Sequence, residues 1–430
     1  MNLGALSLED APGFRVPLQF FLTVPAFGIL AATLILFDGG LLLQSRWLPA
    51  TLAVTHAFTL GYIAMAMLGA LFQMLPVVMG TSFPRTEPAA RLVHGLLTAG
   101  TLCLVAAFEW RQAMLFLIAA MLLVPVLLLF AAGTLIALRQ GAKGGGPARA
   151  VRLAVMALAV TAGLGGWLAA GHALPAVPLQ RALTDYHAGW GLAGWILVLV
   201  VGISTQVIPM FLTTPPYPKT LERWLPPLLV VLLLTGSVAP LDALRQGALL
   251  ALTVLAAVYA LVSLHLLQRR RRKRFDVTVW FWRLGMACLL AAAGLEGYAY
   301  VRGGSAGPEL AVLAGLLFLA GFAVSVINGM LYKIVPFLVW LHLRMPVLKG
   351  LVPPGTRLYT PNIHEVIAPQ RMKWQFLLHA AALVLLLAAV AATNGRWAQA
   401  GAVLLLASNG LLLFNLGAAV RLYARHAGSV

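Results

Sequence analysis

Apolar stretches of about 20 residues, separated by short polar joints, follow one another along almost the whole chain. The bilayer core offers no partners to backbone N–H and C=O groups, so each stretch must satisfy them within itself, as a helix. This feature predicts an all-α, polytopic membrane protein. Composition agrees, with 61% of the 430 residues hydrophobic and only 10% charged. A soluble domain carries about 25% charged residues, so a water-soluble enzyme is excluded. Twelve spanning helices are predicted, at 16–37, 48–79, 91–108, 112–138, 152–172, 182–212, 224–241, 246–267, 277–300, 309–341, 372–393 and 398–421, within a single membrane domain 1–430. The N-terminal stretch is polar, with Glu9 and Asp10 where a cleavable signal would be basic. Cys103 and Cys288 both fall in apolar stretches, which speaks against a disulfide framework or a cysteine metal site.

Lys and Arg assign the sides. One set of joints holds Arg85 and Arg91; Arg139, Lys143, Arg149 and Arg152; Lys219 and Arg223; the run 269–274; and Arg344, Lys349, Arg357, Arg371 and Lys373. The other set holds single arginines, Arg46, Arg111, Arg181, Arg245, Arg302 and Arg396. The positive-inside rule then puts both termini in the cytoplasm of a bacterial-type inner membrane. The net charge of +18 reads as contact with anionic lipid, with no nucleic-acid partner.

A short motif recurs three times: Gly69 to Gln73 to Pro76, Gly202 to Gln206 to Pro209, and Gly329 to Lys333 to Pro336. The pattern G-x3-[Q/K]-x2-P ends the second, sixth and tenth spans, at separations of 133 and 127 residues. It divides the chain into three pseudo-threefold four-helix repeats, approximately 16–138, 152–267 and 277–421. Glycine permits close helix approach, and proline frees a carbonyl one turn back. The motif reads first as a packing and kink device.

Of nine histidines, His342, His364, His426 and His265 lie in or beside the basic joints, and are expected to be solvated. His94, His172 and His379 read as packing residues. His56 and His187 differ: each lies about six residues into its span, a depth of roughly 9 Å, and precedes the proline of a repeat motif by 20 or 22 residues. An ionisable side chain inside a span is costly and marks function by default. Two at matching depth form a ligand set for a metal or heme, or each hydrogen-bonds a neighbouring helix; both readings are open.

This organisation resembles the heme-copper oxidase superfamily. Thr55-His56-Ala57 with Gly69-Ala70-Leu71-Phe72 and Pro76 is similar to the second helix of nitric-oxide-reductase-type members, where a histidine holds low-spin heme. Tyr186-His187 leading to Val207-Ile208-Pro209 is similar to the sixth helix, which carries a copper ligand in the oxidases. Gly329-Met330-Leu331-Tyr332 with Val335-Pro336 resembles the end of the tenth helix in cbb-type oxidases. Chain length and Val207-Ile208-Pro209-Met210-Phe211 also resemble the NnrS family of heme- and copper-containing membrane proteins linked to nitric oxide response. The resemblance implies b-type heme, with copper as a further cofactor, a diatomic gas ligand, and a c-type cytochrome or other redox subunit as partner. The sequence departs from the pattern where the tenth helix should carry two histidines and reads Leu313-Ala314-Gly315-Leu316, and in the seventh span, which has none. Cytochrome c oxidase chemistry is therefore not expected of this chain alone.

The remaining candidates are few. Lys333, beside Tyr332, is expected to snorkel to the interface or to assist proton or anion uptake. Asp185 either orients an imidazole or caps the sixth span. Glu296 is the other acid near the histidines. Arg46 and Arg181 are candidates for heme propionates, since arginine binds carboxylates bidentately. The expected function is electron transfer or nitric oxide and oxygen handling. The alternatives are a transporter using the histidines as a relay, and a membrane subunit whose missing ligands come from a partner.

Overall fold

A computed structural model describes residues 11–141, 145–273, 275–302, 307–348 and 361–427. Among them all regular structure is helical. Twelve helices are long and apolar enough to cross a membrane. They are α1 (Arg15–Asp38), α2 (Pro49–Met79), α3 (Thr86–Trp110), α4 (Ala113–Gln140), α5 (Gly146–Ala173), α6 (Arg181–Leu212), α7 (Lys219–Val238), α8 (Asp242–Gln268), α9 (Val277–Val301), α10 (Pro308–Met345), α11 (Pro369–Ala391) and α12 (Gly395–Ala427). Their number and order match the sequence reading, and their ends differ from it by up to six residues. The apolar window underestimates helices whose last turns are polar, as in α12, which runs on through Arg421 and Arg425. Lys143, Arg274, Lys349 and Arg357 lie outside the described residues, as does the side chain of His364.

Two helices, α2 and α6, are the most enclosed, and α9 and α10 follow. Around them α4 packs on α5, α8 on α9, and α12 returns to pack on α1. The first helix of each sequence unit also packs on its second: α1 on α2, α5 on α6, and α9 on α10.

The three motif helices share an irregularity that the motif did not announce. Each opens into a segment of wide, i→i+5 turns: 57–64 in α2, 190–197 in α6 and 317–323 in α10. Each segment starts 19 residues before the motif proline. The residue that follows bonds back five positions in every case: Met65 N–H to Leu60 O, Val198 N–H to Ala193 O, and Val324 N–H to Leu319 O. Such turns are rare, occur mostly as single-turn bulges inside α-helices, and are frequent at functional sites.

Glycines explain the close packing of each unit. A Cβ on Gly61 would stand 2.2 Å from the Phe27 ring, and one on Gly69 2.6 Å from Phe20 Cβ, both on α1. On Gly202 it would stand 2.1 Å from Ala150 Cβ of α5. On Gly321 it would stand 2.7 Å from Cys288 Cβ of α9. No side chain fits at these places, so glycine is what lets the backbones approach.

Candidate functional site

The wide turns of α2 and α6 begin beside the two singled-out histidines, His56 immediately before residue 57 and His187 three before residue 190. The helices bring them together: the imidazole centroids are 6.2 Å apart and the ring planes differ by 25°. Both rings border a cavity of about 330 Å³ enclosed by α2, α3, α4, α5 and α6. Its walls are largely apolar, with Phe108 of α3 5.3 Å from the His56 ring.

Hydrogen bonding fixes how each ring presents itself. His56 Nδ1 lies 2.8 Å from Leu52 O, one turn back on its own helix. His187 Nδ1 lies 3.0 Å from Thr161 O of α5. A carbonyl oxygen can only accept, so in each neutral ring the proton sits on Nδ1 and the Nε2 lone pair is available. This is the arrangement that prepares an imidazole to ligate a metal. Gly165 makes room for it, because a Cβ there would stand 3.0 Å from His187 Cε1.

A third histidine reaches the same cavity. His172, at the end of α5, borders it and stacks on Phe116 at 4.7 Å. Nothing in the sequence distinguished it, since it precedes no repeat motif and stands near the end of its span.

The charged candidates sort into two groups. Arg46 Nη2 binds Asp185 Oδ1 at 2.7 Å. Asp185 thus holds Arg46, and the His187 ring is oriented by a carbonyl; the proposed carboxylate–imidazole contact does not occur, nor does Asp185 cap α6, where the N-cap position is Gln180 with no side-chain bond. Arg181 borders the cavity directly, with its guanidinium 5.7 Å from the Trp47 ring, which Arg46 approaches at 4.4 Å. Half-buried Glu296 of α9 lies within electrostatic reach of Arg46 and Asp185.

The motif's polar residues lie elsewhere and serve different purposes. Gln73 is buried, with neither amide atom hydrogen-bonded. Gln206 is exposed. Lys333 does not snorkel: its Nζ meets Asp276 Oδ2 at 2.7 Å, while the other carboxylate oxygen of Asp276 caps α9 by accepting from Thr278 N–H. Tyr332 is buried and its hydroxyl accepts from Asn415 Nδ2 of α12 at 3.1 Å.

Three of the other histidines bond to neighbouring segments. His94 Nε2 pairs with Thr23 Oγ1 at 2.8 Å, and His379 Nε2 with Ser325 Oγ at 2.9 Å. His342, expected in solvent, is half-buried instead, with its nitrogens 2.9 Å from Leu338 O and 3.0 Å from Pro12 O. Among the described residues no three His, Cys, Asp or Glu side chains converge as a metal-binding group. No family model and no curated protein sequence matches this chain.

Proposed function

We propose that this membrane protein binds b-type heme non-covalently in the cavity between α2 and α6, with His56 and His187 as its protein ligands. The observation that carries the reading is the histidine pair, with both Nδ1 atoms engaged by carbonyls and both Nε2 atoms left over, 6.2 Å apart by centroid. Heme brings four nitrogens of its own and needs only one or two axial ligands from protein, which a histidine pair can supply. The apolar walls exclude water from a macrocycle. Arg181, bordering the cavity and not engaged by Asp185, is the residue fitted to a propionate carboxylate.

Bound there, heme would supply reversible one-electron chemistry, or an iron position for a diatomic gas if only one histidine ligates it. The chain's own part is to hold two unprotonated Nε2 atoms in place through Leu52 O and Thr161 O, and to keep the site dry. We place the protein in electron transfer or nitric oxide and oxygen handling, with a redox subunit such as a c-type cytochrome as partner. Copper has less support, since His172 is the one further histidine at the cavity. A Soret band with sharp α and β bands in the dithionite-reduced spectrum of the purified protein is the expected result; a featureless spectrum, with no iron by elemental analysis, refutes it.

We further infer that the twelve helices form three repeats of four about a pseudo-threefold axis, with both termini on the cytoplasmic side of an inner membrane. The supporting features are the common 19-residue offset of the wide turns, the α4–α5, α8–α9 and α12–α1 contacts, and the distribution of arginines.

A further inference from the structure

A second cavity, of about 100 Å³, lies between α2, α6 and α10. Its lining follows one rule. On each helix, the positions 10, 9, 6, 5 and 2 residues before the motif proline face the space. Ala66, Leu199 and Val326 form one end layer, and Met74, Val207 and Ile334 the other. Phe21 and Trp282 complete the wall.

The lining offers a water almost nothing to bond to, although the space is partly open at its rim. A buried water needs two to four polar partners. Ser204 supplies the single hydroxyl of the lining, and it is already occupied: its Oγ donates to Val201 O at 2.9 Å and accepts from the Tyr259 hydroxyl at 2.9 Å. The Trp282 indole N–H is buried and has no hydrogen-bond partner, the one unsatisfied donor among the lining side chains. An apolar cavity of about 150 Å³ remains empty of water and takes up xenon or benzene. One of 100 Å³ admits the smaller of these and excludes most organic ligands.

We propose that this axial cavity is a binding site for one small apolar molecule, of the size of a diatomic gas. It lies next to the histidine cavity along the same two helices. The deepest α2 residue of the histidine cavity, Ala64, is two positions from Ala66, a rise of about 3 Å. The site stands on its own lining. That it serves as a store for the histidine cavity rests on the heme reading.

Xenon is the probe. In crystals of the full-length protein pressurised with xenon, a single anomalous peak between α2, α6 and α10 is expected. Ile203→Phe on α6 and Ala70→Phe on α2, each filling the space from a different helix, should both abolish it. Wild-type crystals without xenon in this cavity, or with ordered water filling it, would overturn the proposal without needing either variant. Heme content measured on the same protein separates the two ideas. Xenon bound in heme-free protein supports the cavity and removes the heme reading, and no xenon in heme-loaded protein removes the cavity alone.

Discussion

His56 and His187 are held by main-chain carbonyls, and this decides what their replacement should do. Loss of either imidazole removes one Nε2 from the pair. His56→Ala and His187→Ala are each expected to lower heme content several-fold or to shift the reduced spectrum, as read by the pyridine hemochrome assay. His364→Ala, in a basic joint, should do neither. Gly165→Ala is a subtler test: its new Cβ would stand 3.0 Å from His187 Cε1, so the ring must move, and weaker heme retention is expected without loss of the fold. The Lys333–Asp276 pair makes a separate prediction. Both groups are mostly buried, so Asp276→Asn leaves an ammonium without its partner and should cost about 1–3 kcal/mol. Combining it with Lys333→Met should recover most of that loss, measured as thermal midpoints in detergent. The histidine pair was legible in the sequence because matching depth and similar distances to a proline, 20 and 22 residues, can be counted. Asp276 as the partner of Lys333, Thr161 O as the partner of His187, and His172 as the third cavity histidine were not, because each contact joins different helices and leaves no local pattern.

At the level of single helices, α2, α6 and α10 combine close-packed glycines, wide turns and an internal proline. Where a glycine faces a neighbouring backbone, a methyl group has nowhere to go. Gly202→Ala should destabilise by about 1–3 kcal/mol through overpacking against Ala150. Gly247→Ala in α8, where a Cβ would meet nothing within 4 Å, should be neutral or stabilise by up to about 1 kcal/mol. Chemical denaturation of the two variants side by side checks the contrast; equal effects would refute the packing argument. Helix number and order were readable from hydropathy, because the bilayer dictates length and composition together. The wide turns were not, because backbone register inside a helix has no hydropathy signal. A trace of them is present all the same: Gly61-Tyr62, Gly194-Trp195 and Gly321-Phe322 stand at one common distance from their prolines, inside the three segments.

For the whole molecule, arginine distribution and the repeat make a joint prediction about topology. A reporter fused after Val430 should be active only in the cytoplasm, and one inserted at 303–305 only outside; both positions lie outside the described residues. A swapped result would refute the orientation. The three units should superpose by rotations of roughly 120° about the membrane normal, whereas two inverted halves, as in many secondary transporters, would contradict the repeat. The most direct test of heme binding is a cryo-electron microscopy map of the purified protein in lipid nanodiscs. Planar macrocycle density in the cavity between α2 and α6, joined to the Nε2 of His56, of His187 or of both, is the expected result. A cavity filled by lipid or left empty, or a macrocycle ligated by other residues, would contradict it.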